Sequence, residues 1–97
     1  MFRHIVLLTL DADAPTSALT NILEGLATLP DAIPEIAEYR FGTDEHLAEG
    51  NADIGIVADF DDRAAYEVYR DHPVHRAVIT DRIVPVLGSR VAIQMQL

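Results

Sequence analysis

The chain contains no cysteine and no tryptophan. Without thiols it has no disulfides, zinc ribbons, thiol redox chemistry or thiolate nucleophiles. That absence fits a reducing compartment. Positive charge is scarce: 7 Lys and Arg stand against 16 Asp and Glu, a net charge of −9. A surface this acidic repels phosphate backbones and anionic lipid, so neither nucleic acid nor a membrane is an expected partner. The longest early apolar run is Ile5-Val6-Leu7-Leu8, and Asp11 soon follows it. This is too short to span a bilayer and lacks a signal-peptide layout, so a soluble, cytoplasmic protein is expected. No G-x-G-x-x-G or Walker A pattern offers a phosphate cradle. Ser17 and Ser89 lie in no nucleophile elbow.

What is present is a foldable core. The 97 residues are 49% hydrophobic and 24% charged, the composition of one globular domain over residues 1–97. Area scaling buries roughly two-thirds of the unfolded surface in a chain this long.

Phe2 to Leu10 reads as a strand ended by the turn cluster Asp11 to Pro15. Leu19, Ile22, Leu23, Leu26 and Leu29 recur at helical spacing, with a start expected between Asp13 and Thr16 and a stop at Pro30. Ala37 to Gly42 and Ile54 to Phe60 read as strands separated by a polar loop. Asp61 is the expected cap of a helix reaching Arg70 or Asp71. Pro73 breaks that helix and opens a second piece, closed by Pro85 and Gly88. Ser89 to Leu97 alternates as a final strand. The order β-α-β-β-α-β is the split βαβ, ferredoxin-like α+β arrangement: an antiparallel sheet with helices on one face.

The first strand is apolar on both faces. Phe2, Val6, Leu8 and Leu10 share one, and Ile5 and Leu7 share the other. Val57 and Ala92 are expected to continue the second face on neighbouring strands. An exposed apolar sheet face calls for a cover, and a second copy packed face to face supplies one. A homodimer through the open sheet face is therefore expected.

Four segments carry a family resemblance. Phe2-Arg3-His4-Ile5-Val6-Leu7-Leu8 resembles the HIVLF-type first strand of the stress-responsive dimeric α/β-barrel (Dabb) family. Ile33-Pro34-Glu35-Ile36 resembles its IPG turn, with Glu35 in place of the usual Gly. Asp59-Phe60-Asp61-Asp62-Arg63-Ala64-Ala65 resembles its strand-to-helix corner. Tyr69-Arg70-Asp71-His72-Pro73-Val74-His75 resembles its Y-x-x-H-P-x-H signature, the most specific of the four. The resemblance covers nearly the whole chain. It implies a ferredoxin-like protomer whose homodimer forms a barrel from two sheets. The wider superfamily includes polyketide cyclases of the olivetolic acid cyclase type, cofactor-free monooxygenases, lactone isomerases and haem enzymes, so the fold leaves the function open.

In the cyclase branch the catalytic tyrosine and histidine fall on Tyr69 and His75. An imidazole can take a proton from a carbon next to a carbonyl, and a phenol can hydrogen-bond the oxygen that becomes the enolate. Tyr69 and His75 are thus the candidate catalytic pair for a cyclase-like lyase or isomerase step. The competing reading makes His-Pro a helix junction and Tyr69 packing. His4, on the Phe2/Val6/Leu8 face, is either a ligand contact or a core histidine with a partner. His72 either caps the second helical piece or contacts a ligand.

The His72/His75 spacing of three suits a metal pair, but no further ligands can be placed beside it, so no metal is expected. No cofactor of any other kind is implied. Asp59, Asp61 and Asp62 are explained by helix capping at the strand-to-helix corner. Val6, Leu8, Leu23, Leu26, Ile54, Ile56 and Val78 are the candidate apolar lining, together with Ile22. The first helix is aliphatic where the cyclase branch has aromatics, which argues against the same polyketide substrate and leaves open a different chain length or ring. The function expected is binding of a small apolar carbonyl or phenolic compound, with or without catalysis. The alternatives are a non-catalytic stress-associated dimer and a cofactor-free monooxygenase.

Overall fold

A computed structural model describes all residues, Met1–Leu97. Four strands, β1 (Phe2–Leu10), β2 (Ile36–Thr43), β3 (Ile54–Phe60) and β4 (Leu87–Gln96), form one sheet in the order β2-β3-β1-β4. Every adjacent pair is antiparallel. β1 and β2 are therefore parallel with β3 inserted between them, which is the split βαβ of a ferredoxin-like α+β fold. Helices α1 (Ala18–Ala27), α2 (Leu29–Ala32), α3 (Arg63–Asp71) and α4 (Pro73–Val78) connect the strands. No helix is long and apolar enough to cross a membrane.

Period-two alternation sorts the sheet into two faces. On β1 and β3 the inward set is His4, Val6, Leu8, Ile54, Ile56, Ala58 and Phe60, all buried. These meet Ile22, Leu26, Leu29, Tyr69, Val78 and Ile83 from the helical layer in one core cluster. Ile22, Leu29 and Ile33 are wholly inaccessible, so shortening any of them leaves a cavity costing about 2–5 kcal/mol.

The helix ends differ from the sequence expectation in three places. α1 starts at Ala18, after Ser17, and neither Asp13 nor Thr16 caps it. Pro30 does not end the helical region; it occupies the first turn of α2, where its missing N–H has no partner to lose. The cap of α3 is also one residue later than expected. Asp62, not Asp61, sits in extended conformation and accepts a bond of 2.9 Å from the Ala65 N–H. His72 ends α3 and begins α4, and its Nδ1 accepts from the Val74 N–H. Pro73 fits the first turn of α4 for the same reason as Pro30.

After α4 the chain widens into a π-helical turn over Ile79–Ile83 and tightens into a 3₁₀ turn over Val84–Val86. Arg82 ties this turn to α1: its Nη1 donates to the Asn21 carbonyl and to Asn21 Oδ1. The arginine crosses directly over Gly25, where a Cβ would lie 2.5 Å from Arg82 Cδ. That close approach explains a glycine in mid-helix.

The open face of the sheet corrects one expectation. Ala92 lies opposite Val6, on the helix side, and packs against the core. Val91, Ile93 and Met95 take the open side, opposite Leu7, Ile5 and Arg3. Leu7, Val91 and Ile93 are 45%, 65% and 53% exposed, so the uncovered apolar face is larger than the sequence pattern suggested. At its end, Arg3 and Asp59, cross-strand partners, form a two-point ion pair at 2.8 and 2.9 Å. The guanidinium holds the Asp59 carboxyl below its usual range by that hydrogen bond, against the opposing effect of burial. Asp59 is thus a sheet residue paired to Arg3 and has no part in capping α3.

The Asp62 assignment is testable by thermal unfolding. Asp62→Ala should cost about 1 kcal/mol and lower Tm by roughly 4–8 °C. Asp61→Ala should leave Tm unchanged; the reverse pattern would restore Asp61 as the cap.

Candidate active site

Pro73 is the local origin of the site. It ends α3 and restarts the chain as α4, so Tyr69 and His75 come from two helices that meet at a corner. Their rings lie against each other, centroids 4.0 Å apart and planes 34° from parallel. A continuous helix would place residues six apart on different faces.

Between α3, α4, the π-helical turn and the inner sheet face is a cavity of about 360 Å³. Its walls are apolar: Val6, Leu8 and Ile56 from the sheet, Leu26 from α1, and Val78, Ile79, Ile83 and Leu87 from the C-terminal half. Its polar groups are His4, Tyr66, Tyr69, His75, Arg70, Arg76 and Arg90. An apolar pocket with a few convergent polar groups is the usual form of a small-molecule site. A larger concavity, about 650 Å³, lies over the open sheet face between Leu7, Arg40, Gly42 and Val57. It holds none of these ionisable groups and lies where a second sheet would pack.

The tautomer of His75 follows from its neighbour. Its Nδ1 lies 3.0 Å from the Arg70 carbonyl oxygen, which can only accept. Nδ1 therefore carries the proton, and Nε2 keeps its lone pair. Burial lowers the affinity of His75 for a second proton, assisted by Arg76, Arg90 and His72, while the Arg70 carbonyl works the other way. His75 is a neutral imidazole at pH 7 with a free basic nitrogen.

His4 is the complementary case. It is 3% exposed, and the amide nitrogen of Gln94 donates to its Nδ1 at 2.9 Å. The proton of the neutral ring then belongs on Nε2. Every fully buried side-chain nitrogen and oxygen in the fold has a partner, and Nε2 has none within the chain, so Nε2 opens into the cavity. Burial, with Arg90 and His75 nearby, pushes His4 down to about 4. The site thus holds two neutral imidazoles in opposite roles, one accepting through Nε2 and one donating through Nε2.

Tyr69 is placed differently from its expected role. Its ring lines the cavity, but its hydroxyl lies 3.0 Å from the Tyr39 hydroxyl, on β2. Burial raises both phenols, Tyr39 to about 12 and Tyr69 further, the latter helped by Tyr39. The ring is wedged among Phe60, Tyr66, Tyr39 and His4 at centroid distances of 5.2 to 6.4 Å.

Of the remaining expected contacts, Val6, Leu8, Leu26, Ile56 and Val78 line the cavity. Leu23, Ile54 and His72 do not. Leu23 is half-buried on the flank of α1, Ile54 is consumed by the core opposite Leu8, and His72 is turned to its capping bond. No group of three or more His, Asp or Glu side chains gathers as metal ligands would. Tyr39, Tyr66, Ile79, Ile83, Leu87 and the three arginines were not legible as site residues. Only the alternation of β2 hinted at Tyr39, and nothing local marks a residue that reaches the site through a fold contact.

The comparisons with known proteins agree with this architecture. A dimeric ferredoxin-like protein of unknown function from Thermobifida fusca superposes with a TM-score of 0.91 at 41% identity, over 99% of this chain and 90% of its own. A Dabb family protein with a ferredoxin-like fold from Mesorhizobium loti gives 0.80 at 26% identity, over 99% and 95%. A hydroxynitrile lyase from Passiflora edulis gives 0.85 at 17% identity, over 99% and 92%, a likeness of fold alone. No curated protein matches the sequence. The model of the stress responsive A/B barrel domain matches residues 2–97, and the chain belongs to that family.

Proposed function

We propose that the protein is a homodimer that binds a small carbonyl or phenolic compound in the cavity of each protomer and moves a proton on it, without a cofactor, in a lyase, isomerase or cyclase-like step. The observation that carries the reading is the pair of neutral imidazoles set in opposite tautomers on one apolar cavity. His75 Nε2 takes the proton from the carbon next to the carbonyl. The electron pair moves into the carbonyl, and the oxygen gains negative charge. His4 Nε2–H donates to that oxygen; the bond from Gln94 to Nδ1 is what leaves the ring proton on Nε2. The Tyr69 hydroxyl shares a bond with Tyr39, so the donor role expected of Tyr69 is assigned here to His4, and Tyr69 positions His75 by ring contact.

The hydroxynitrile lyase on the same fold agrees with a lyase step, though at 17% identity it adds only the scaffold. The non-catalytic reading is favoured by one observation: Tyr69 is buried with its hydroxyl satisfied inside the chain, as a purely structural residue would be. The dimer is supported by the exposed row Leu7, Val91 and Ile93 and by dimeric relatives such as the Thermobifida protein.

Proton abstraction is read by deuterium exchange of the methyl group of 4-hydroxyacetophenone in D₂O. The protein should accelerate it, and His75→Ala should remove about 100-fold or more of the acceleration while Tm stays within a few degrees. An unchanged rate in His75→Ala would leave the non-catalytic reading standing.

The pH profile has a definite sign. Protonating His75 removes the base, so the rate should fall as pH drops through a midpoint below 6.5 and stay level from 7 to 8. Folded His4 binds its proton more weakly than in the unfolded chain. Stability is therefore full above pH 6.5 and should fall towards pH 4, by a few kcal/mol at most.

In sedimentation, the wild type should run at twice 10.7 kDa and Ile93→Glu as a monomer. A wild-type monomer would refute the dimer.

A further inference from the structure

The chain has seven positive side chains, all arginine, on a body with sixteen acidic ones. Four are neutralised by carboxylates: Arg3 by Asp59, Arg40 by Glu38, Arg63 by Glu67 and Arg70 by Asp71. Arg82 is occupied by the Asn21 carbonyl and amide oxygens. The two that remain, Arg76 and Arg90, make no salt bridge and no side-chain hydrogen bond within the chain. Both line the same cavity. With acidic groups in more than twofold excess, arginines left unpaired by chance should be scattered over the surface. These two instead come from different elements, α4 and β4, and line one cavity.

Their positions relative to the histidines are specific. Arg76 follows His75 on α4. Arg90 lies opposite Leu8 on β4 and so faces the helical side, on the same strand face as Gln94, the partner of His4. A guanidinium presents a planar fork of donors matched to a carboxylate, and it keeps its charge at any working pH. The cavity is therefore largely apolar, has His4 on its sheet side and His75 on its helical side, and is also lined by two guanidiniums without a partner in the chain.

We propose that the ligand is an anion: a carbonyl compound that also bears a carboxylate, held by Arg90 and Arg76 while its carbonyl end lies between His4 and His75. This rests on the carbonyl-binding reading above and narrows it to acids. The arginines are binding groups; they exchange no proton with the ligand. Locally the unfavourable field of a body with net charge −9 is opposed by these two arginines, neither of which forms a salt bridge, though the Asp71 carboxylate bears on Arg76.

The test compares 4-oxo-4-phenylbutanoate with its methyl ester, which share the aryl ketone and differ in charge. Binding is followed by the imidazole carbon-bound proton shifts of His4 and His75 in the intact protein. The acid should bind about tenfold or more tighter than the ester. Arg90→Gln with Arg76→Gln should bring the acid down to the level of the ester. Arg90→Lys should restore part of the preference, and Arg63→Gln, which removes an equal charge elsewhere, should keep all of it. Equal binding of acid and ester by the wild type would overturn the arginine assignment while leaving the carbonyl site intact. So would a preference that survives the double substitution. If neither compound binds, the carbonyl-binding reading fails, and this inference fails with it.

Discussion

The burial of the Tyr69 ring is the constraint on which the site depends. A tyrosine that is 2% exposed needs a partner for its hydroxyl, and Tyr39 on the far edge strand provides it at 3.0 Å. That bond holds α3 against the sheet, with the Tyr69 ring beside Phe60. With Tyr69 seated, the corner at Pro73 brings His75 against the ring, centroids 4.0 Å apart. The bond from His75 to the Arg70 carbonyl then selects the tautomer. Packing in the core thus determines which nitrogen of a histidine two helices away is free.

The same cavity shows how a small domain combines a stable core with a reactive site. Eight aliphatic side chains close the walls and lower the affinity of both histidines for protons by keeping water away. The polar atoms left over are few and each is accounted for. Gln94 satisfies one nitrogen of His4, Arg70 one nitrogen of His75, and Tyr39 the hydroxyl of Tyr69. What remains without a partner is one donor and one acceptor on the histidines, the Tyr66 hydroxyl and two guanidiniums. That residue of unused bonding capacity, rather than the shape of the cavity, is what the proposed ligand class rests on.

Most of the fold was legible locally. The alternation of β1 and β3, the helical spacing from Leu19 to Leu29 and the break at Pro73 all rest on near neighbours in sequence, and the structure follows them. The misses are one step less local. Asp61 and Asp62 are equivalent as sequence signals, and only the extended backbone at 62 separates them. Ala92 was assigned to the open face because strand alternation gives two sets without saying which set faces in. The pairing of Ala92 with Val6 decides that. Leu23 and Ile54 are apolar and inward enough to be site candidates, and nothing short of the packed core shows that they fill space away from the cavity.

By itself, the sequence determined the element order, the two-faced first strand, the family and the Tyr69-to-His75 corner, because each depends on spacing within a few residues or on a contiguous motif. Tertiary structure decided the protonation pattern and the company of those residues. Tyr39 and Tyr69 are thirty residues apart, and His4 and Gln94 ninety. Arg90 joins Arg76 only because β4 returns to the edge of β1 with its even-numbered residues facing the helices. Such contacts are set by strand register and loop closure, which no local pattern encodes. The tautomers and free charges that follow from them therefore belong to the fold.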